Sequence, residues 1–339
     1  MHIERFDPST DESQLRACYQ MVAEAQRVDD PNAAPESFGR FRGWLVYGMA
    51  GIPQQTWLAT ADSGALVGWY VLELPERENR ANAFCHPCVA LSARRHGVGT
   101  ALVAHAAQQS ELSGRALLMS HARVEAPGAA FAAAIGARSG LRDARRVLDL
   151  GDPLRTRLPG LRADVAACGA GYTLRRWTGP APDDLVEQVC SLLMAMEDAP
   201  REDSVEPERW DPARLRAAEE RGIAEGSRWY EMAAMHDASG DMAALTQVAV
   251  DPEVDGWAFQ DITAVTRPHR GHRLGLAVKL AMLDWLADAE PQVRRIHTFN
   301  AVQNEHMIAV NADLGYRISD YFDSFELDVA AASKLAAAP

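Results

Sequence analysis

One short pattern occurs twice in this chain, about half the chain length apart. Residues 89–99 have the sequence VALSARRHGVG and residues 265–275 have VTRPHRGHRLG, so that Arg94 and Arg270 stand 176 positions apart in a chain of 339 residues. Each copy follows an apolar stretch typical of a strand and precedes an amphipathic run, which predicts a strand that turns into a helix at the glycines. Both halves of the fold must therefore accommodate the same turn.

Each repeated loop has the chemistry of an anion-binding site. The first amides of a helix have no partner within the helix, and the helix dipole adds partial positive charge, so this position favours a pyrophosphate. Glycine allows the backbone to approach the phosphates closely, and arginine adds charge-assisted hydrogen bonds. The alternative is a strand-to-helix turn without a ligand, which is less favoured for two copies in register than for one.

The flanking sequences predict the same order of elements in both halves: helix, hairpin, strand, glycine loop, helix and strand. The predicted hairpins lie at residues 56–74 and 229–250, and the strands that lead into the loops at 83–91 and 257–265. This order predicts an α/β (α+β) fold in two consecutive domains. We place them at residues 1–151 and 172–339, joined by a linker at 152–171 that contains Pro, Gly and Arg.

Composition limits the class of partner. The formal net charge of −13 at pH 7 argues against binding of nucleic acid or an anionic membrane surface, because both require a basic patch. No run approaches the roughly 20 apolar residues that cross a bilayer, and the N-terminus does not resemble a signal peptide. Five cysteines fit reduced thiols in a cytoplasmic protein. Cys85-His86-Pro87-Cys88 has no second cysteine pair, so no metal site is predicted.

The element order and the Arg-x-x-Gly-x-Gly loop resemble the GCN5-related N-acetyltransferases (GNAT), over nearly the whole chain and as two consecutive domains. The closing segment of the second half is similar to that of actinobacterial tandem GNAT proteins, on the residues Thr298-Phe299-Asn300-Ala301, Asn304, Met307, Val310-Asn311 and Leu314-Gly315-Tyr316. The resemblance implies that each domain is a mixed, twisted sheet, splayed between its fourth and fifth strands and flanked by helices. It also implies that the pantetheine arm of coenzyme A lies in that gap.

The same resemblance implies an N-acyltransferase (EC 2.3.1.-) that moves an acyl group, usually acetyl, from coenzyme A to an amine. Acetyl-CoA or another acyl-CoA is then the co-substrate, and its pyrophosphate binds the repeated loops. In the first half we expect coenzyme contacts from Val89, Ala90, Leu91, Arg94, Arg95, His96, Gly97, Val98, Gly99 and Thr100. In the second half we expect them from Val265, Arg270, Gly271, His272, Arg273, Leu274, Gly275, Leu276 and Asn304.

In many members of the family the acid is a tyrosine four residues before a Gly-Phe pair, and neither half has it. Ala132 stands at that position in the first half and Asn311 in the second. The catalytic candidates are therefore in the second half. Asp261 is the candidate base, and Asn300, Asn311 and Tyr316 lie at the end of the site that would hold the acyl group, which we call the acyl end. Each of these residues also has a purely structural alternative, since Asp261 can cap a helix, Tyr316 can pack in the core, and Asn300 can close a turn.

The two halves depart from the family pattern in opposite ways. The first loop is complete but its acyl end lacks an acid, whereas the second loop has Arg273 at the inner glycine position, which either hinders close phosphate approach or reaches the phosphates. We therefore expect the first domain to bind acetyl-CoA largely structurally and the second to transfer the acyl group to a small-molecule amine.

Other functions and assemblies stay open. One alternative is a non-catalytic acyl-CoA sensor or structural protein, and another is a doubly wound dinucleotide-binding protein, which the missing first glycine disfavours. The acidic balance mildly favours a cationic amine as acceptor. We expect a monomer or a homodimer.

Overall fold

The structure is a computed structural model that describes residues 1–49, 52–196 and 199–335. The described residues form two compact units. The first unit contains residues 1–142, 202–206 and 321–335, and the second contains residues 143–201 and 207–320.

Strands and helices alternate along the chain. The elements before residue 150 are β1 (His2–Phe6), α1 (Glu12–Asp29), α2 (Phe38–Tyr47), β2 (Gln54–Thr60), β3 (Leu66–Glu73), β4 (Asn82–Val89), α3 (Val98–Leu112), β5 (Leu117–Arg123), α4 (Pro127–Ala134) and β6 (Arg138–Asp149). Those that follow are α5 (Asp152–Cys168), β7 (Tyr172–Thr178), α6 (Val186–Ala195), α7 (Pro212–Ala224), β8 (Arg228–His236), β9 (Met242–Val250), β10 (Trp257–Val265), α8 (Leu274–Ala289), β11 (Arg295–Ala301), α9 (Glu305–Leu314), β12 (Arg317–Asp328) and α10 (Val329–Ala332).

The sheet of the first unit has the strand order β1-β2-β3-β4-β5, followed by the part of β12 that belongs to this unit. Neighbouring strands run antiparallel except β4 and β5, which are parallel. Their ladder holds only three residue pairs, from Asn82 with Leu117 to Phe84 with Met119. Beyond Phe84 the two strands separate and leave a gap.

The second unit repeats this arrangement. Its strand order is β7-β8-β9-β10-β11, followed by residues 143–149 of β6. The parallel pair is β10 and β11, and its ladder also ends after three pairs, at Phe259 with His297. Each unit therefore has the mixed, splayed sheet that the sequence analysis predicts.

Each sheet packs helices on both faces because side chains alternate along its strands. Along β3, Tyr70 and Leu72 face the core that contains α3, whereas Trp69 and Val71 face the core that contains α1 and α2. The second unit has the same two layers, one core with α8 and the other with α6 and α7. In each unit, the helix that follows the repeated loop lies on the opposite face from the first helices.

The segment 152–171, interpreted from sequence as a linker, differs from that expectation. Residues 152–168 form α5, and its side chains Leu154, Leu158, Leu161 and Val165 pack in the core of the second unit. Their spacing of three or four residues places them on one helical face. Pro153 lies in the first turn, where a proline costs no helical hydrogen bond. The Pro and Gly content of the segment hid this periodicity.

The compact units also do not end where the sequence repeat suggests. Residues 322–328 of β12 pair antiparallel with Leu117–Arg123 of β5 in the first unit, and residues 143–149 of β6 pair with β11 in the second. Leu327 is 7% exposed in the core of the first unit. The last strand of the chain thus completes the sheet of the first unit.

Leu327→Ala should destabilise the first unit by about 2 to 5 kcal/mol, because it leaves a cavity beside β5. Hydrogen exchange followed by mass spectrometry should show loss of protection in β4 and β5, while β10 and β11 keep theirs. The control is Leu174→Ala, at a position that is 47% exposed. Loss of protection confined to the second unit would contradict the assignment of the last strand.

Candidate active site

The two repeated loops have the same backbone hydrogen bonds. In the first, the bonds run from the amides of Ala90, Ala93, Arg94 and Ala101 to the carbonyls of Val67, Ala90, Leu91 and Gly97. In the second, they run from Thr266, His269, Arg270 and Ala277 to Ala243, Thr266, Arg267 and Arg273. Because Ala101 and Ala277 make the first bonds within α3 and α8, the amides of each preceding turn stay open to a ligand.

The loops also share their left-handed backbone positions, with the residue types exchanged. The first loop has φ of 65° at Arg95 and 78° at Gly97, and the second has 87° at Gly271 and 53° at Arg273. Each loop therefore places one arginine in a conformation that costs an L-residue roughly 1 to 2 kcal/mol. Arg273 follows the same backbone path as Gly97.

The arginines of both loops bind protein groups. The Arg94 guanidinium donates two hydrogen bonds to the Asp29 carboxylate, at 2.8 and 2.6 Å. Asp29 ends α1, and its carbonyl also accepts from Arg123 of β5, so these contacts fasten the first loop across the gap. In the second loop Arg273 donates to Asp313 at 2.8 Å. Phosphate contact by these arginines stays a prediction.

The last glycine of the motif has different surroundings in the two loops. A Cβ at Gly99 would lie 3.3 Å from the Phe131 ring of α4, whereas a Cβ at Gly275 would lie 3.6 Å from the nearest side chain, Val265. A side chain at Gly99 would therefore require the Phe131 ring to shift by a few tenths of an ångström. Gly275 has room for a small side chain.

Titratable side chains line the start of the gap in the first unit. His86 of β4 and His121 of β5 stand two residues beyond the last parallel pair, with ring centroids 5.7 Å apart. His86 Nε2 is buried 3.6 Å from Glu73 Oε1 and makes no hydrogen bond to a described residue. Trp44 donates to the same Glu73 oxygen at 3.2 Å. Desolvation and the neighbouring His86 lower the pKa of His121. The acyl end of the first unit therefore carries titratable side chains.

The same place in the second unit has a β-bulge. The register of β10 against β9 shifts between Gln260 and Thr263, so β10 has one residue more than β4 between the parallel ladder and the loop. The Gln260 amide nitrogen donates to the carbonyls of Gln247 and Ile262, at 2.6 and 3.0 Å, and so stabilises the bulge. Asp261 is exposed on it.

The two gaps can be aligned by counting from the last parallel pair. His86 and Asp261 both stand two residues beyond it on the fourth strand of their unit, and His121 and Phe299 do so on the fifth. A proton-accepting side chain therefore occupies the same fourth-strand position in both units. Asp261 also interacts with Glu231, a carboxyl whose pKa burial raises well above its usual range.

A polar network is buried on the other face of the second sheet. Lys279 of α8 is 2% exposed, and its ammonium donates to Asn311 Oδ1 at 3.0 Å. Asn311 Nδ2 in turn donates to Asn300 Oδ1 at 2.7 Å. Lys279 Nζ also lies 5.1 Å from the centre of the Tyr316 ring. Desolvation lowers the pKa of Lys279 to about 7.

Lys279, which the sequence analysis missed, thus connects Asn300, Asn311 and Tyr316. Asp261 lies on the bulge. Asn304 is the N-cap of α9, where its side chain accepts from the Met307 amide at 3.2 Å. A signal for Lys279 was available, because it is one of only two lysines among 34 basic residues and it interrupts an apolar run. His86 lies in the Cys85–Cys88 motif and His121 on the predicted strand after the first loop helix, and the pairing of β4 with β5 brings the two rings together.

No model of a protein family matches the chain, and no curated protein matches it. Among solved structures, the tandem GNAT protein from the clavulanic acid biosynthesis pathway is 30% identical, with a TM-score of 0.82, over 97% of this chain and 98% of that one. A GCN5-related N-acetyltransferase from Sphaerobacter thermophilus is 15% identical, with a TM-score of 0.66, over 97% and 95%.

The chain therefore belongs to the GCN5-related N-acetyltransferase family, as a tandem GNAT protein. This confirms the predicted family and fold class. The family uses acyl-CoA, and the open first turns of α3 and α8 fit its pyrophosphate. Among the described helices, none is long and apolar enough to cross a membrane. Nor do the described His, Cys, Asp and Glu side chains form a cluster that could hold a metal ion.

Stability should depend on pH through Lys279. Its pKa is about 7 in the folded chain and about 10.4 when unfolded, so the unfolded chain binds more protons between these values. The free energy of unfolding should therefore rise with pH across this window, by at most about 1.4 kcal/mol per pH unit.

Lys279→Met removes this dependence. Thermal denaturation between pH 6 and pH 9.5 should show that the variant is stabilised most over the wild type at pH 6. This difference in stability should decline as the pH rises. Lys334→Met, which removes an exposed charge, should stay parallel to the wild type. A pH-independent difference for Lys279→Met would contradict the burial of a titrating lysine.

Proposed function

We propose that this protein transfers an acyl group, acetyl in the first instance, from acyl-CoA to a small-molecule amine. The observation that carries the proposal is the pair of matched loops, whose open helical turns stand at the end of a gap that begins beside a proton acceptor. Coenzyme A supplies the activated thioester. The chain supplies the pyrophosphate cradle, the gap and the groups that handle protons.

The amine must lose a proton to attack the thioester. Asp261 is the candidate base in the second unit, and its place on the bulge exposes it at the start of the gap. It accepts the proton directly or through a water molecule. Burial raises the pKa of Glu231 and favours its neutral form. Asp261 therefore keeps its charge, because no second charged carboxylate lies beside it on Glu231.

The proposal retains the expected division of roles, in which the first unit binds acetyl-CoA structurally and the second carries the transfer. The polar network at Asn300, Asn311 and Lys279 supports a specialised acyl end in the second unit. His86 and His121 support a competing base in the first unit, so the division needs a direct test.

The acceptor is proposed from chemistry and from the structural neighbour. Carboxylates near the start of both gaps, Glu73 in the first unit and Asp261 in the second, favour a cationic amine. The similarity to a protein of the clavulanic acid biosynthesis pathway supports an acceptor from small-molecule biosynthesis, antibiotic biosynthesis included.

The test is thiol release from acetyl-CoA with a panel of small amines, for the wild type and for two matched variants. Asp261→Asn should lower kcat by about 10²-fold or more, because it removes the general base and keeps the side-chain shape. His86→Gln should leave kcat within about threefold, since its unit is proposed to bind rather than transfer.

Two outcomes would overturn parts of the proposal separately. Loss of turnover in His86→Gln with normal turnover in Asp261→Asn would place the transfer in the first unit. Acetyl-CoA binding without thiol release for every amine would support the non-catalytic alternative.

A further inference from the structure

The duplication provides an internal control for the buried network of the second unit. Each of its positions has a counterpart in the first unit, found by counting from the loop glycine, from the last parallel pair and from the glycine after α4 or α9. The counterparts of Lys279, Asn300, Asn311 and Tyr316 are Val103, Ala122, Ala132 and Ala137. The fold is therefore built without polar groups at these places in one of its two copies.

A buried lysine is costly to retain. Lys279 is 2% exposed and Asn311 is fully buried, and no carboxylate pairs with Lys279 among the described residues. Within the described part of the chain, its ammonium is compensated by the Asn311 oxygen and the face of the Tyr316 ring. Burying a cation with so little compensation opposes folding, and an apolar side chain such as the valine of the other copy avoids this cost. Stability thus does not explain the network.

The network has a fixed direction. In its protonated form Lys279 only donates hydrogen bonds, and it then requires Asn311 to present its oxygen. Asn311 must then present its nitrogen to Asn300, which accepts with its own oxygen. The nitrogen of Asn300 is left as a donor, and it makes no hydrogen bond to a described residue.

The residue that carries this donor lies beside the gap. Asn300 lies on β11 three residues past His297, where β11 has lost β10 as its neighbour. An acyl-CoA whose pyrophosphate binds at residues 270–276 would extend its pantetheine arm towards the closed end of this gap. That end lies at Phe259 and His297, the last pair of the parallel ladder. Its reactive thioester would then lie near the first residues past the ladder.

We propose that Lys279 is a positioning residue: through Asn311, it holds the amide nitrogen of Asn300 as a hydrogen-bond donor to the thioester carbonyl oxygen of bound acyl-CoA. This inference rests on the proposed function and names the group that stabilises the charge developing on that oxygen during acyl transfer. Lys279 itself does not touch the substrate.

The kinetic test uses Lys279→Met, Asn311→Ala and Asn300→Ala. Each should lower kcat by about tenfold or more, with a much smaller change in the KM for acetyl-CoA, because the donor matters most when charge develops. The double variant Lys279→Met/Asn300→Ala should be no slower than Asn300→Ala alone. The control is Val278→Ala, which loosens the same buried helix without touching the network and should keep kcat within about twofold.

A spectroscopic test does not require turnover. Bound acetyl-CoA labelled with ¹³C at the thioester carbonyl should show a downfield carbonyl shift in the wild type, and Lys279→Met and Asn300→Ala should each reduce it. An unchanged shift in both variants, or a kcat for Lys279→Met equal to that of Val278→Ala, would overturn the inference. A normal shift pattern in a protein that turns over no amine would overturn the proposed function and leave the positioning role standing.

Discussion

The early separation of two parallel strands is the constraint on which the candidate site depends. In each unit the parallel ladder ends after three residue pairs, so the backbone groups beyond it face a gap instead of a neighbouring strand. The strand on one side then leads directly into the loop and the open first turn of a helix. A gap that ends in unpaired amides suits a long ligand with an anionic end. The proposed acyl-CoA site follows from this backbone geometry.

The two copies keep this backbone and differ in the side chains placed on it. The loop hydrogen bonds match one for one, and the left-handed positions are the same although glycine and arginine exchange places. One inserted residue in β10 creates the bulge that exposes Asp261, and the polar network around Lys279 replaces small apolar residues. Comparison of the two copies therefore separates the backbone that both keep from the side chains that only the second carries.

Much of the fold could be predicted from the sequence because its signals are local. A glycine loop between a strand and a helix, and the order of elements around it, depend on residues close together in the chain. The helix at 152–168 was missed because Pro and Gly outweighed its apolar spacing, although Pro153 sits where a helix tolerates it. The pairing of β12 with β5 could not be predicted, since strand pairing across about two hundred residues leaves no local pattern.

The candidate site was predictable only in part, for a similar reason. The closing segment of the second half points to Asn300, Asn311 and Tyr316, but Lys279, which joins them, lies on another helix. His86 and His121 come together only because β4 and β5 are parallel neighbours. Such side-chain contacts depend on tertiary packing.

The central claim is that each copy of the loop binds one acyl-CoA. Native mass spectrometry of the full chain with acetyl-CoA tests it directly. The account predicts two bound molecules per chain, and one for Gly275→Leu, whose side chain would obstruct the first turn of α8. A wild-type chain that saturates with one acetyl-CoA, or binds none, would contradict it.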